Sequence, residues 1–199
     1  MSELIDWGNS AVRLRIALED GRAVVTGLDV AGRSPDDIPS RIATPPAEVL
    51  VAGGRLPQGQ RHVGLGTSAE LRYERHTTRE ADGRSELEVL QRTPAGVVLR
   101  STFSLYGELP VLRVEQEVVN ESDAAVTLEH LSSLTLNGFA RFRDDDWRER
   151  VRLRIPHNTL LAEFNWTEHS LPSLGIVDVG FTEEGVHSSK SRVSVSSIG

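Results

Sequence analysis

The feature that most constrains the fold is the stretch from Gly96 to Phe139, where apolar and polar residues alternate through successive runs. In the first run, Val97, Leu99, Phe103 and Leu105 alternate with Val98, Arg100, Thr102 and Ser104. After Tyr106-Gly107-Glu108-Leu109-Pro110, Leu112, Val114, Gln116 and Val118 alternate with Val111, Arg113, Glu115 and Glu117. After Asn120-Glu121-Ser122-Asp123, Val126, Leu128, His130 and Ser132 alternate with Thr127, Glu129, Leu131 and Ser133. A period of two places successive side chains on opposite faces of a strand. Three such runs joined by two polar turns predict an antiparallel β-meander with one wet face.

The same grammar extends in both directions. Val12 to Leu18 alternates and is followed by Asp20-Gly21, a hairpin turn signal, with Ala23 to Val30 as the return strand. Pro35, Pro39, Pro45 and Pro46 lie within 32–46, and that density of missing donors predicts a loop. Glu48 to Ala52 is a short strand, and Gly53 to Gly66 is a glycine-rich loop. Ala69 to His76 reads as a strand, turned by Asp82-Gly83 into Ser85 to Thr93. Beyond Phe139, Val151, Leu153 and Ile155 alternate with arginines, Pro156-His157-Asn158 turns, and two short strands are expected at Gly175–Gly180 and Arg192–Ile198. No amphipathic helix longer than about three turns is evident. The expected fold is all-β: one domain over 1–199, a large two-sheet, mostly antiparallel β-sandwich.

Composition limits the function. The 199 residues carry 22 Lys and Arg against 29 Asp and Glu, a net charge of -7. A binder of nucleic acid or of an anionic membrane needs a basic face, so neither partner is expected. There is no cysteine, which excludes disulfides and thiolate metal sites. The N-terminus, MSELIDWGNS, lacks the basic start and apolar core of a secretory signal, and the cytoplasm is the expected location. The strand-like ending Val193 to Gly199 leads us to expect a chain cut from a longer protein.

Chemistry is sparse. The six histidines, His62, His76, His130, His157, His169 and His187, show no metal-ligand spacing. Asp144-Asp145-Asp146 lacks the alternate ligands and glycine of a calcium loop and reads as a solvated run beside Arg141, Arg143 and Arg148. Glu129, His130, Ser132 and Ser133 have no nucleophile elbow around them, and alternation separates Glu129 from His130. No catalytic residue, metal or cofactor is expected. Of the three tryptophans, Trp166 reads as packing, whereas Trp147, in a charged loop, is open to stacking on a sugar.

Several stretches together resemble the N-terminal domain of bacterial α-galactosidases of glycoside hydrolase family 36. They are Arg100 to Phe103 continuing through Leu109-Pro110-Val111-Leu112-Arg113 to Asn120-Glu121-Ser122, then Val126 to Ser133. Asn158 to Trp166 with Leu171 to Gly175 is similar too, as is the serine-rich run from Ser188 to Gly199. The resemblance is best from about Arg61 to the end. It implies the large supersandwich shared with galactose-mutarotase-like domains. It also implies a following (β/α)8 barrel with two catalytic aspartates acting in a retaining hydrolysis. No catalytic residue carries over to this chain. The resemblance implies an α-galactoside substrate only for the full enzyme, and a homo-oligomer in which the Gly53–Gly66 loop caps a neighbour's sugar pocket. Arg61 would then bind sugar hydroxyls, although the aspartate common two positions earlier is Gly59 here. Pairing of Arg61 with a surface acid is the competing reading. Two further readings stand beside the enzyme domain. One is a stand-alone carbohydrate-binding module using Arg61 and Trp147. The other is a mutarotase-like enzyme needing a His and Glu pair.

Overall fold

A computed structural model describes residues 3–30, 43–55, 64–136, 151–159 and 162–174. The chain divides into two compact units, Met1–Phe139 and Ala140–Gly199.

In the first unit, β1 (Glu3–Gly8), β2 (Val12–Glu19) and β3 (Arg22–Val30) form an antiparallel sheet in that order. β4 (Val49–Val51) and the five-residue helix α1 (Gly66–Glu70) follow. A second antiparallel sheet runs β5 (Arg72–Ala81), β6 (Arg84–Arg92), β7 (Val97–Tyr106) and β8 (Leu112–Asn120). These elements form because the alternation is regular and the turns suit it. Asp20 and Gly21 have φ of 50° and 71°, and Asp82 and Gly83 have φ of 52° and 73°. Two consecutive positive φ values define the type I′ geometry that matches strand twist.

The two sheets pack face to face. Ile5, Trp7, Leu14, Ile16 and Val25 from the first sheet share one buried cluster with Leu87, Val89, Phe103 and Leu105 from the second. This is the expected two-sheet antiparallel sandwich, realised within the first unit. Two polar contacts lie inside it: Gln91 Oε1 accepts the Ala23 N–H at 3.3 Å, and Ser101 Oγ donates to Gln116 Oε1 at 2.7 Å, while Gln91 Nε2 is buried without a hydrogen-bond partner among the described residues.

The third run of the meander behaves differently. β9 (Leu128–Leu131) does not continue the sheet beyond β8; it pairs antiparallel with β4, Val49 opposite Leu131 and Leu50 opposite His130. The cause lies in the turn. Asn120 Nδ2 donates to Ala124 O at 2.8 Å, and its Oδ1 accepts from Ser122 N–H and Oγ–H at 3.1 and 2.7 Å. These bonds shape a turn wide enough to carry the chain off β8. Gln116 then reaches across by its side chain, Nε2 donating to Ser133 O at 3.1 Å.

Two other differences are local. β1 has no counterpart in the sequence reading. Ala69 and Glu70 lie in α1, not in a strand, and β5 begins at Arg72. α1 exists to close β4: Ser68 Oγ accepts the Val49 N–H at 2.7 Å, and Thr67 Oγ1 accepts the Val51 N–H at 3.2 Å. Those hydroxyls take the place of a ladder neighbour along the short strand.

The second unit holds a hairpin of β10 (Arg152–Thr159) and β11 (Ala162–Ser170), then a 3-10 turn at Pro172–Leu174. Pro156, expected to turn the chain, lies inside β10 opposite Trp166. In a two-stranded ribbon both strands are edges, so a residue without an N–H can sit where no ladder bond is required. The strands expected at 175–180 and 192–198 fall outside the described residues.

Candidate functional site

Arg61 and Trp147, the two residues singled out from the sequence for sugar contact, lie outside the described residues. The two ends of the Arg61 loop are described. Gly66 N–H donates to Arg55 O at 2.7 Å, closing its base. Glu48 is only 1% exposed, and its carboxylate accepts the N–H groups of Gly64 at 2.8 Å and Leu65 at 3.1 Å. A buried carboxylate held by two backbone donors is a structural pin.

The cluster around His130 is also structural. Ser132 Oγ accepts the Glu48 N–H at 2.9 Å and lies 2.9 Å from Thr135 Oγ1. The hydroxyl is thus occupied by the scaffold. Glu129 is exposed and His130 half-buried on β9, on successive positions that face opposite ways. His76 Nδ1 shares a 2.7 Å hydrogen bond with the Tyr73 hydroxyl. Burial, aided by the charge of Glu3, raises the Tyr73 pKa above its ordinary value, against a lowering contribution from His76. Among the described residues, no three His, Asp or Glu side chains are grouped to hold a metal ion.

Open grooves lie among the described residues, and two of them bear on the chemistry. The first, about 550 Å³, lies on the face of the second sheet turned away from the core and is lined by Thr77, Thr78, Arg79, Glu86, Glu88 and Thr102. Glu86 and Glu88 sit two apart on one strand, as a pair of catalytic carboxyls would. Each is held by guanidinium groups instead. Glu86 lies 2.6 Å from Arg84 and 3.3 Å from Arg79, and Glu88 lies 3.4 Å from Arg100, which also binds Glu117. This is a ladder of ion pairs across four strands, each pair worth at most ~1 kcal/mol at a surface.

The second groove, about 510 Å³, lies on the β10–β11 hairpin and is lined by Arg154, Trp166, Thr167 and Glu168. The register sets Arg154 opposite Glu168 and Pro156 opposite Trp166, so these four side chains share a face. Arg154 Nε donates to Glu168 Oε2 at 2.8 Å, and Arg152 Nε lies 4.0 Å from Oε1. Trp166, expected to be packed, is 57% exposed. Leu161, Ala162 and Phe164 before it in the sequence favour packing. The polar neighbours Asn165, Thr167 and Glu168 were the signal that the strand's end is wet. Trp7, by contrast, is buried in the sandwich core at 8% exposure and donates its Nε1–H to Ser85 Oγ at 3.2 Å.

No helix among the described residues is long and apolar enough to cross a membrane. Comparison with protein families, curated proteins and solved structures finds no match for this chain.

Proposed function

We propose that this chain is the N-terminal, non-catalytic part of a cytoplasmic, homo-oligomeric α-galactosidase of glycoside hydrolase family 36. In that role it supports a catalytic barrel that acts on terminal α-galactosides. The observation that carries the reading is how the residues bearing the resemblance are used. Asn120 shapes the β8–β9 turn, Ser132 ties β9 to Glu48, and Arg113 pairs with Glu115 at 2.8 Å. Asn120 and Ser132 are spent on scaffold bonds and Arg113 on an exposed ion pair within its own strand, as fits a supporting domain of supersandwich type whose reaction is carried elsewhere. Retaining hydrolysis needs two free carboxyl groups about 5–5.5 Å apart across a sugar-sized cleft. Among the described residues, the carboxyl groups lining the groove of the second sheet, Glu86 and Glu88, are bound up with arginines.

The test is enzymatic. The 199-residue chain is expected to leave an aryl α-galactoside intact. The product of the longer reading frame is expected to release the phenol with retention at the anomeric carbon. Failure of that longer protein to cleave any α-galactoside would remove the proposal.

A further inference from the structure

We infer that the exposed face of the β10–β11 hairpin is a pyranoside-binding platform, with the Trp166 indole under the sugar ring and Arg154 and Glu168 at its hydroxyls. A tryptophan side chain buries roughly 150–250 Å² when packed, so leaving it 57% exposed forgoes a large stabilisation. Trp166 is not at a loop tip. It sits within β11, opposite Pro156, in the ladder of the hairpin.

Its surroundings select the ligand. A pyranose presents a flat apolar C–H face and a rim of hydroxyls that both donate and accept. The groove offers one flat aromatic surface with a guanidinium and a carboxylate beside it. The Arg154–Glu168 bond at 2.8 Å holds both groups in place and uses one of the five guanidinium N–H donors. The carboxylate keeps further acceptor sites for sugar hydroxyls. The Thr167 hydroxyl is already engaged by His157 Nε2 at 2.8 Å and His169 Nε2 at 3.0 Å, so the polar contacts fall to Arg154 and Glu168. An apolar peptide would need more than one aromatic anchor. A phosphate or nucleotide would meet the Glu168 charge on a chain of net charge -7. A neutral sugar fits both. Among sugars, galactose has an axial 4-hydroxyl that leaves the hydrogens of C3, C4 and C5 on one side, the broadest apolar face for an indole. The choice of galactose rests on the function proposed above; the stacking does not.

The experiment uses the whole 199-residue chain with methyl α-D-galactopyranoside and, for comparison, methyl α-D-glucopyranoside. Saturation-transfer NMR is expected to show the strongest transfer at H3, H4 and H5, and titration of tryptophan emission to give a dissociation constant of about 1–10 mM. Trp166→Ala is expected to weaken binding about tenfold or more, Trp166→Phe to retain part of it, and Glu168→Gln to weaken it severalfold, with far-UV circular dichroism unchanged. Glu168→Gln alters only an exposed ion pair, so it keeps the test sound if Trp166→Ala does not fold. Absence of transfer at about 50 mM of either sugar, or equal affinity in Trp166→Ala and the parent chain, overturns the platform. Binding here without hydrolysis by the longer protein supports the platform and removes the enzyme reading. Hydrolysis there without binding here does the reverse.

Discussion

Glu48 shows how one residue can anchor two elements. Its backbone N–H meets Ser132 Oγ, its C=O accepts the Ser132 N–H, and its carboxylate takes the N–H groups of Gly64 and Leu65. Truncation would strand two backbone donors in an apolar setting, at ~1–3 kcal/mol each when unsatisfied. Glu48→Ala should therefore lower stability by about 2–4 kcal/mol, and Glu48→Gln, which keeps one acceptor, by less; urea titration compares the two. Nothing in the sequence marks Glu48, because its partners are backbone groups that carry no side-chain signature. Tyr73 gives a pH prediction. Its pKa is raised chiefly by burial, so the folded chain keeps the phenol proton to higher pH than the unfolded chain does. The unfolded state then binds fewer protons, and stability falls as pH rises through about 10 and above. Tyr73→Phe should flatten that part of the stability profile. An unchanged slope between parent and variant would sink the assignment.

At the scale of elements, legibility followed local chemistry. Both Asp-Gly turns were readable because positive φ at two successive positions is a demand few residue pairs meet. Gly83 allows a clean measurement: a Cβ there would meet nothing within 4 Å, and its φ is 73°. Gly83→Ala should then cost about 1–2 kcal/mol through backbone conformation alone, with the thermal midpoint as readout. The strands from β2 to β8 were legible because alternation is written in each segment. Partner choice was not. β9 has a proper alternating pattern, but the pattern says only which faces differ, not which strand lies alongside. Its pairing with β4 depends on Asn120 bonds and on the pairing edge of a three-residue strand far away in sequence. β1 was missed although Ile5 and Trp7 alternate with Leu4 and Asp6, because six residues make a weak periodic signal. Trp166 was misplaced for a related reason: an apolar segment predicts burial only if another layer covers it. Arg61 and Trp147, the sugar contacts drawn from the sequence, fall outside the described residues, so Trp166 carries the binding argument instead.

For the molecule as a whole, the sandwich core belongs to one unit. Every residue of both buried clusters lies between Ile5 and Leu136, within Met1–Phe139. Phe103 is fully buried at the meeting of the two sheets, and Phe103→Ala should cost about 3–5 kcal/mol by loss of contacts and creation of a cavity. In the second unit Leu171 is buried, at 9% exposed, and a two-stranded hairpin alone is marginal in water. The two-sheet core of the first unit should by itself support a cooperative transition. A fragment spanning Met1–Phe139 should unfold in one urea transition with a slope of about 1–3 kcal/mol/M and dispersed amide resonances. The Phe103→Ala exchange should cost the fragment and the 199-residue chain the same free energy, because the buried cluster that holds Phe103 lies within the fragment. A fragment without a cooperative transition, or a Phe103→Ala penalty much smaller in the fragment than in the whole chain, would place part of the stabilising core beyond Phe139.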